Sequence, residues 1–471
     1  MIFPLKKKVL ISMLMMFLIF SISITQNIAG SPSESDETTS LSSDPDIVIP
    51  DDYPTIQEGI DNAEVGDKIF VRSRSEPYYE NIVVDKERLL IRGEDKNNTV
   101  IDAGKTMHDA VAIPAEGVTI ENFTVTGARC KNEYIWNQAG IKIYSSNVTI
   151  KNSKLVDNQI GIEVYSKAYN LTIVDNEFYN DGILLGNYLS SKEPSLTMQD
   201  YIHNIKNNTV MGQPLYYYTN KNDFAVPNNA GLIILVNCTN VTIRDLYMSR
   251  NDFSIILAYC SNCLIENLTI SDTDGEVLLF ECDNNTITHN TISNTMKAIC
   301  LEYNSKNNNI SYNDVSHNYV GISLYSSAKN NTVYKNKAYK NKGFGMEIVS
   351  YNEGTIQQDN IVSENHFYKN KVGIYLTRNS IKNIIENNSI TYNKVGILLQ
   401  KSSDYNKIMY NNFKWNLLPA TFIGCTKNTW YKNYWNRPRL LPKPIFGYKL
   451  VGKVPIPCID FDRNPAKNPI V

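Results

Sequence analysis

The sequence has almost no net charge. Forty-six Lys and Arg stand against 48 Asp and Glu, for a formal −2, so it lacks the basic footprint of a nucleic-acid binder. Only 20% of the chain is charged, too little for a set of solvated amphipathic helices. Helical periodicity is nearly missing: apolar residues alternate over runs of three to five and are then broken by Asn or Gly, which excludes a helix bundle. Histidine is scarce, and His108, His203, His289, His317 and His366 share no common place in the sequence pattern, so no imidazole cluster for a metal is expected. Beyond the first thirty residues there is no apolar run long enough to cross a bilayer. What is abundant is Asn, together with 30 Tyr, a composition of turns and strands.

The clearest order lies between residues 360 and 424, in NIVSENHFYKNKVGIYLTRNSIK, NIIENNSITYNKVGILLQKSSDY and NKIMYNNFKWNLLPATFIG. Each unit opens on an apolar anchor: Val362, Ile385, Ile408. Three residues on stand Asn365, Asn388 and Asn411; eight residues on stand Asn370, Asn393 and Asn416; a Gly or Ala then leads an alternating strand. The anchors continue as Ile120, Ile150, Ile173, Ile205, Ile243, Ile265, Ile287, Ile310, Val333, Val362, Ile385, Ile408 and Trp430. Their spacing is mostly 22 or 23 residues, with longer steps at Ile120–Ile150, Ile173–Ile205, Ile205–Ile243 and Val333–Val362. Such a unit cannot bury its apolar face alone and must stack on its neighbours. The fold class expected is all-β, a right-handed single-stranded parallel β-helix, with asparagine ladders satisfying the corners.

The pattern divides the chain. Lys6, Lys7 and Lys8 before the apolar stretch from Val9 to Ile24 predict a signal peptide or membrane anchor over residues 1–30, and hence a protein working outside the cytoplasm. The Ser- and acid-rich residues after it predict a disordered tether over 31–50. Residues 51–117 hold a helical N-terminal cap, with Ile56, Ile60 and Ala63 on one face, and the first strands. The repeats fill 118–433, and 434–471 form a C-terminal cap.

The opening YPTIQEGIDNAEVGDKIFV and YYENIVVDKERLLIRGEDKNNTVID, the recurring anchor, Asn and Gly-Ile pattern of 118–433, and the tail NYWNRPRLLPKPIFGYKL resemble the NosD-like and the carbohydrate-binding and sugar-hydrolase right-handed β-helix families, with a tail similar to those of archaeal surface proteins. The resemblance implies the fold over nearly the whole chain. It implies an activity only weakly, because one fold hosts many functions. The Asn-Thr-Asp, Gly-His-Gly and Arg-Ile-Lys sequences of polygalacturonases and the Asp-Pro-His-Asp of alginate epimerases do not occur.

Three groups of residues are candidates for chemistry. The first is an aromatic loop wall. The long steps at residues 186–201 and 212–229 predict loops projecting side by side, and with the earlier insertion they bring Tyr134, Trp136, Tyr188, Tyr216, Tyr217, Tyr218 and Asp223 to a saccharide. The competing expectation is that these aromatics pack their loops onto the coil. The second is a carboxylate set, Asp245, Asp252, Asp272 and Asp274, on neighbouring turns, where a pair about 5–9.5 Å apart would suit glycosidic cleavage; outward acids on a coil are otherwise simply solvated. The third is Cys238, Cys260 and Cys282, each five residues before its anchor, with Cys425 in the same column. The column asks for a small inward residue; a disulfide between turns or a soft-metal site are the other readings. The residues imply no cofactor, although the NosD-like resemblance admits copper, and calcium is left open beside it. The partners expected are a polysaccharide or a surface protein, with no nucleic acid, and a membrane only through the N-terminal segment. The function expected is polysaccharide binding or a surface scaffold, with a lyase, hydrolase or epimerase of acidic glycans, or a copper-related accessory role, as alternatives.

Overall fold

The structure is a computed structural model that describes residues 44–106, 108–129, 138–187, 196–273, 275, 277–350, 356–452 and 454–470. The expected N-terminal segment, most of the tether, and Tyr134, Trp136, Tyr188 and Asp274 lie outside the described residues. The chain forms a right-handed parallel β-helix of about 16 turns with almost no helix. No helix among the described residues is long and apolar enough to cross a membrane.

The coil begins earlier than expected. Ile47–Ile49 already pairs with Lys68–Val71, so the tether cannot reach residue 50: Ile47 and Ile49 alternate inward and are buried. A short helix, Ile56–Asn62, capped by the Thr55 hydroxyl on Glu58 N–H, buries Ile56 and Ile60 against this first turn. It covers the apolar edge that the end of a solenoid exposes.

The anchors stack in register. Ile47, Ile69, Ile91, Ile120, Ile150, Ile173 and Ile205 lie one above another in a seven-stranded sheet. Ile243, Ile265, Ile287, Ile310, Val333, Val362, Ile385, Ile408 and Trp430 do so in a ten-stranded one. The strands of Ile205 and Ile243 do not pair with each other. The chain turns back at Met211 and Gly212, Val210 meets Gln213 in antiparallel pairing, and a new coil starts when Gln213–Thr219 pairs in parallel with Leu232–Val236. The molecule therefore has a first coil, residues 47–210, and a second, residues 213–435.

Three asparagine ladders hold the corners of the second coil. In one, Asn365 N–H donates to Asn388 Oδ1 (2.9 Å) and Asn388 N–H to Asn411 Oδ1 (3.0 Å), while each side-chain amide reaches back to the anchor carbonyl of the preceding turn, as Asn388 Nδ2 does to Val362 (2.8 Å). Asn370, Asn393 and Asn416 repeat this at the second corner. A third ladder, Asn360–Asn383–Asn406–Asn428, runs two residues ahead of the anchors. Each rung pairs buried backbone N–H and C=O groups that would otherwise be orphaned. Two residues after each anchor the backbone turns left-handed, with φ of +56° at Asn267 and Asn387, which is why Asn recurs there. At Gly373 a Cβ would lie 2.6 Å from the Gly396 carbonyl, so on this turn the strand after the second corner opens on a residue without one.

The third sheet of the second coil, here the broad sheet, includes Leu232–Val236, Ile255–Ala258, Val277–Phe280, Lys297–Glu302, Val320–Tyr325, Phe344–Val349 and Leu418–Ile423. Its inner face fills the core with Ile255, Val277, Ile299 and Ile322. Its outer face is apolar at this end as well: Ile234, Ile256, Leu278, Val236, Ala258 and Phe280 are buried. What covers them is the end of the first coil, whose Leu185, Leu196 and Tyr201 share one cluster with them. The first coil thus ends on the flank of the second. Burying side chains of this size stabilises by about 1.5–3 kcal/mol each.

Candidate functional site

The expected loop wall is corrected by this geometry. Residues 213–219 and 222–225 are strands of the second coil's first turn, not a projecting loop. A coil that starts afresh exposes its apolar end, and the Tyr-rich stretch closes it. Tyr216 and Tyr218 stack at 5.9 Å, Phe224 packs edge-on to Tyr218 at 4.9 Å, and all three lie against the second core. Tyr217 points the other way into the junction, where its hydroxyl donates to the Tyr201 carbonyl (2.7 Å) and accepts from His203 N–H (2.9 Å). Asp223 is a left-handed corner residue accepting from Asn240 Nδ2 (2.6 Å).

The carboxylates do not converge either. Asp245 and Asp272 are exposed corner residues at φ +59° and +56°, each accepting from the asparagine of the next turn, Asn267 and Asn294. Asp252 is buried, and its Oδ2 accepts from Gly161 N–H and Gly182 N–H, both at 2.7 Å. It is a side chain of the second coil bonded to the backbone of the first, and so a pin between them. Beside it, burial and then the Asp252 charge push Asp181 well above the usual carboxylate range.

The thiols form an acceptor column. Cys238 N–H points at Cys260 Sγ (3.4 Å), Cys260 N–H at Cys282 Sγ (3.3 Å) and Cys282 N–H at Ser305 Oγ (3.0 Å), which is why Ser replaces Cys on later turns. All three cysteines are free and buried, and burial pushes the Cys260 thiol up. Among the described residues no three His, Cys, Asp or Glu side chains gather in a metal-binding group.

A different set comes together where the first coil meets the broad sheet. A groove of about 220 Å³ runs between Leu184, Leu185, Gly186 and Tyr201 on one side and Phe280, Lys297, Glu302, Tyr303 and Tyr325 on the other. Lys297 Nζ lies 3.7 Å from Glu302 Oε1, 3.7 Å from Cys300 Sγ and 5.0 Å from the centre of the Tyr325 ring. The Phe280 ring contacts Tyr303 at 4.8 Å and Tyr201 at 5.3 Å. Two turns along, Glu347 accepts from Ser323 Oγ (2.9 Å); burial raises its pKa against the opposing pull of Lys297. The lysine is an exception in its column, which continues as Val320, Phe344, Val372 and Val395. That exception is the one sequence signal that could have marked the site. Aromatic walls around a fixed ion pair suit a ligand with apolar C–H faces and a hydroxyl rim.

Fold and groove define a right-handed parallel β-helix protein. Residues 198–337 and 317–414 match the family described as a right handed beta helix region. No curated protein matches the chain. Among solved structures, it is similar to the mannuronan C-5 epimerase AlgE4 A-module of Azotobacter vinelandii, with 11% identity over 77% of this chain and 87% of that one, and a TM-score of 0.32. It is also similar to the periplasmic alginate epimerase AlgG, with 13% identity over 78% and 64%, and a TM-score of 0.29. The Dettilon tailspike protein shows 13% identity over 69% and 61%, with a TM-score of 0.29. Likeness at this level is no argument for shared chemistry.

Proposed function

We propose that the protein works outside the cytoplasm and binds polysaccharide in the groove between its two coils. The observation that carries this reading is the groove itself, in which Tyr303, Tyr325 and the Lys297–Glu302 pair line one open channel. The N-terminal Lys6–Lys8 and Val9–Ile24 pattern supports the location. The test is a glycan array read with the full chain, then titration of each hit against Tyr303→Ala, Tyr325→Ala and Lys297→Ala. The reading expects a hit whose affinity each substitution lowers by about tenfold or more, the cost of ~1.4 kcal/mol. Binding that all three variants retain would end it.

One observation favours an enzymatic alternative on acidic polymers. Glu347 stands on the broad sheet two turns from Lys297, accepts from Ser323 Oγ (2.9 Å) and is raised above an ordinary carboxyl by burial, an environment that suits a general acid. That reading expects the full chain to alter a uronate polymer, with the change abolished in Glu347→Gln and Glu302→Gln. The copper-related reading finds no support in the thiol column, where the Cys260 and Cys282 sulfurs each accept from a backbone N–H and the Cys238 thiol points at the Tyr218 and Val236 carbonyls.

A further inference from the structure

The last strands carry a surface that the fold leaves bare. Lys443–Val451 and Val454–Asp462 form an antiparallel hairpin, which joins the broad sheet through the pairs Phe422–Gly447 and Ile423–Tyr448 and through Thr421 Oγ and Gly424 N–H, which donate to the Phe446 and Tyr448 carbonyls. Residues opposite each other across a hairpin share a face. On one face the pairs are Pro444–Phe461, Phe446–Ile459, Tyr448–Pro457 and Leu450–Pro455, with no charge among the eight. Apart from Pro444 all are exposed. Just before the hairpin, Leu440 and Leu441 are 87% and 77% exposed, between Arg437, Arg439 and Lys443. An apolar patch of this extent on a soluble surface marks an interaction site.

The edge of the hairpin is closed to a further strand. Pro455 and Pro457 alternate along the outer strand and have no N–H to offer, so a partner meets the face. Charge selects the partner. Residues 437–471 hold seven Lys and Arg against two Asp, in a chain whose net charge is −2. Of the two, Asp462 is buried and accepts from Asn433 and Trp435. Among the described residues, Arg437, Arg439, Lys443, Lys449, Arg463 and Lys467 form no ion pair. Lys443 and Lys449 alternate onto the hairpin's other face, but Arg437 and Arg439 flank the two leucines, and a second copy laid against the leucines would bring these like charges together. A bilayer surface with anionic headgroups takes up the leucines and the apolar face and balances the cations.

We infer that the C-terminal hairpin, with Leu440 and Leu441, is a docking surface for an anionic membrane. The test is hydrogen exchange of the full chain over residues 440–461, with phosphatidylglycerol vesicles, with phosphatidylcholine vesicles and without lipid. The expected result is slower exchange with phosphatidylglycerol only, reversed by high salt and lost in the double variant Leu440→Ser, Leu441→Ser. Both leucines are exposed, so that variant keeps its fold. Tethering through the N-terminal segment alone would leave the hairpin's exchange unchanged. The proposal is overturned if exchange is the same in all three conditions, if both lipids protect equally, or if protection rises with protein concentration without lipid, the mark of a second copy.

Discussion

The outer face of the broad sheet looks alike at its two ends and behaves oppositely. At one end Ile234, Ile256, Leu278 and Phe280 are buried under the first coil. At the other, Leu418 on the last coil strand and Phe446, Tyr448 and Leu450 on the hairpin stand exposed. An apolar outward column on a solenoid therefore marks a place to be covered, and the chain supplies its own cover only once. The groove lies along the edge of that cover, where Leu278 and Phe280 give way to Lys297 and Glu302.

Substitutions can break this comparison at either end. The largest effect is expected at the pin. Asp252→Ala leaves Gly161 N–H and Gly182 N–H buried without their acceptor, which should cost about 3–6 kcal/mol by urea unfolding, given about 1.5–3 for each bond to a charged group. Next come the matched truncations. Ile256→Ala at the covered end should cost about 2–4 kcal/mol, while Phe446→Ala at the bare end should stay within about 0.5 kcal/mol. Equal losses would mean that the two ends are not different.

The junction should also respond to pH. His203 is buried beside Asp200 and Tyr217, and burial lowers its pKa to about 4, against an ordinary 6.5. A histidine depressed in the folded state binds its proton more readily when unfolded. Its stabilising share is therefore full above pH 6.5 and is lost as pH falls toward 4, by about 3 kcal/mol. His203→Gln should flatten the curve of melting temperature against pH across that window. The ladders serve as a reference within the coil. Asn365→Ala strands the buried N–H of Asn336, at about 1–3 kcal/mol, and should leave the coil junction and the hairpin as they are.

The repeat was legible because its chemistry is local. Anchors 22 or 23 residues apart, with Asn at fixed offsets, are what a stacked turn requires, and Asn365, Asn388 and Asn411 do stack. The third ladder, Asn360 to Asn428, was present in the sequence but stands ahead of the anchors, where the eye takes it for a turn. The break between coils showed only as the 38-residue step from Ile205 to Ile243. Insertion and restart give the same spacing, and Tyr216–Tyr218 suit a ligand wall as well as a lid. Lys297, alone among apolar residues in its column, could mark one wall of the groove, but the opposite wall was beyond reach, since Tyr201 faces it only when one coil docks on the other.

That docking is tested most directly by a double-mutant cycle on Tyr201 and Phe280, which are far apart in sequence with rings 5.3 Å apart. Measured by urea unfolding of Tyr201→Ala, Phe280→Ala and the double variant, the pair should show a coupling of about 0.5–1.5 kcal/mol. Strict additivity would mean that the end of the first coil does not lie on the flank of the second.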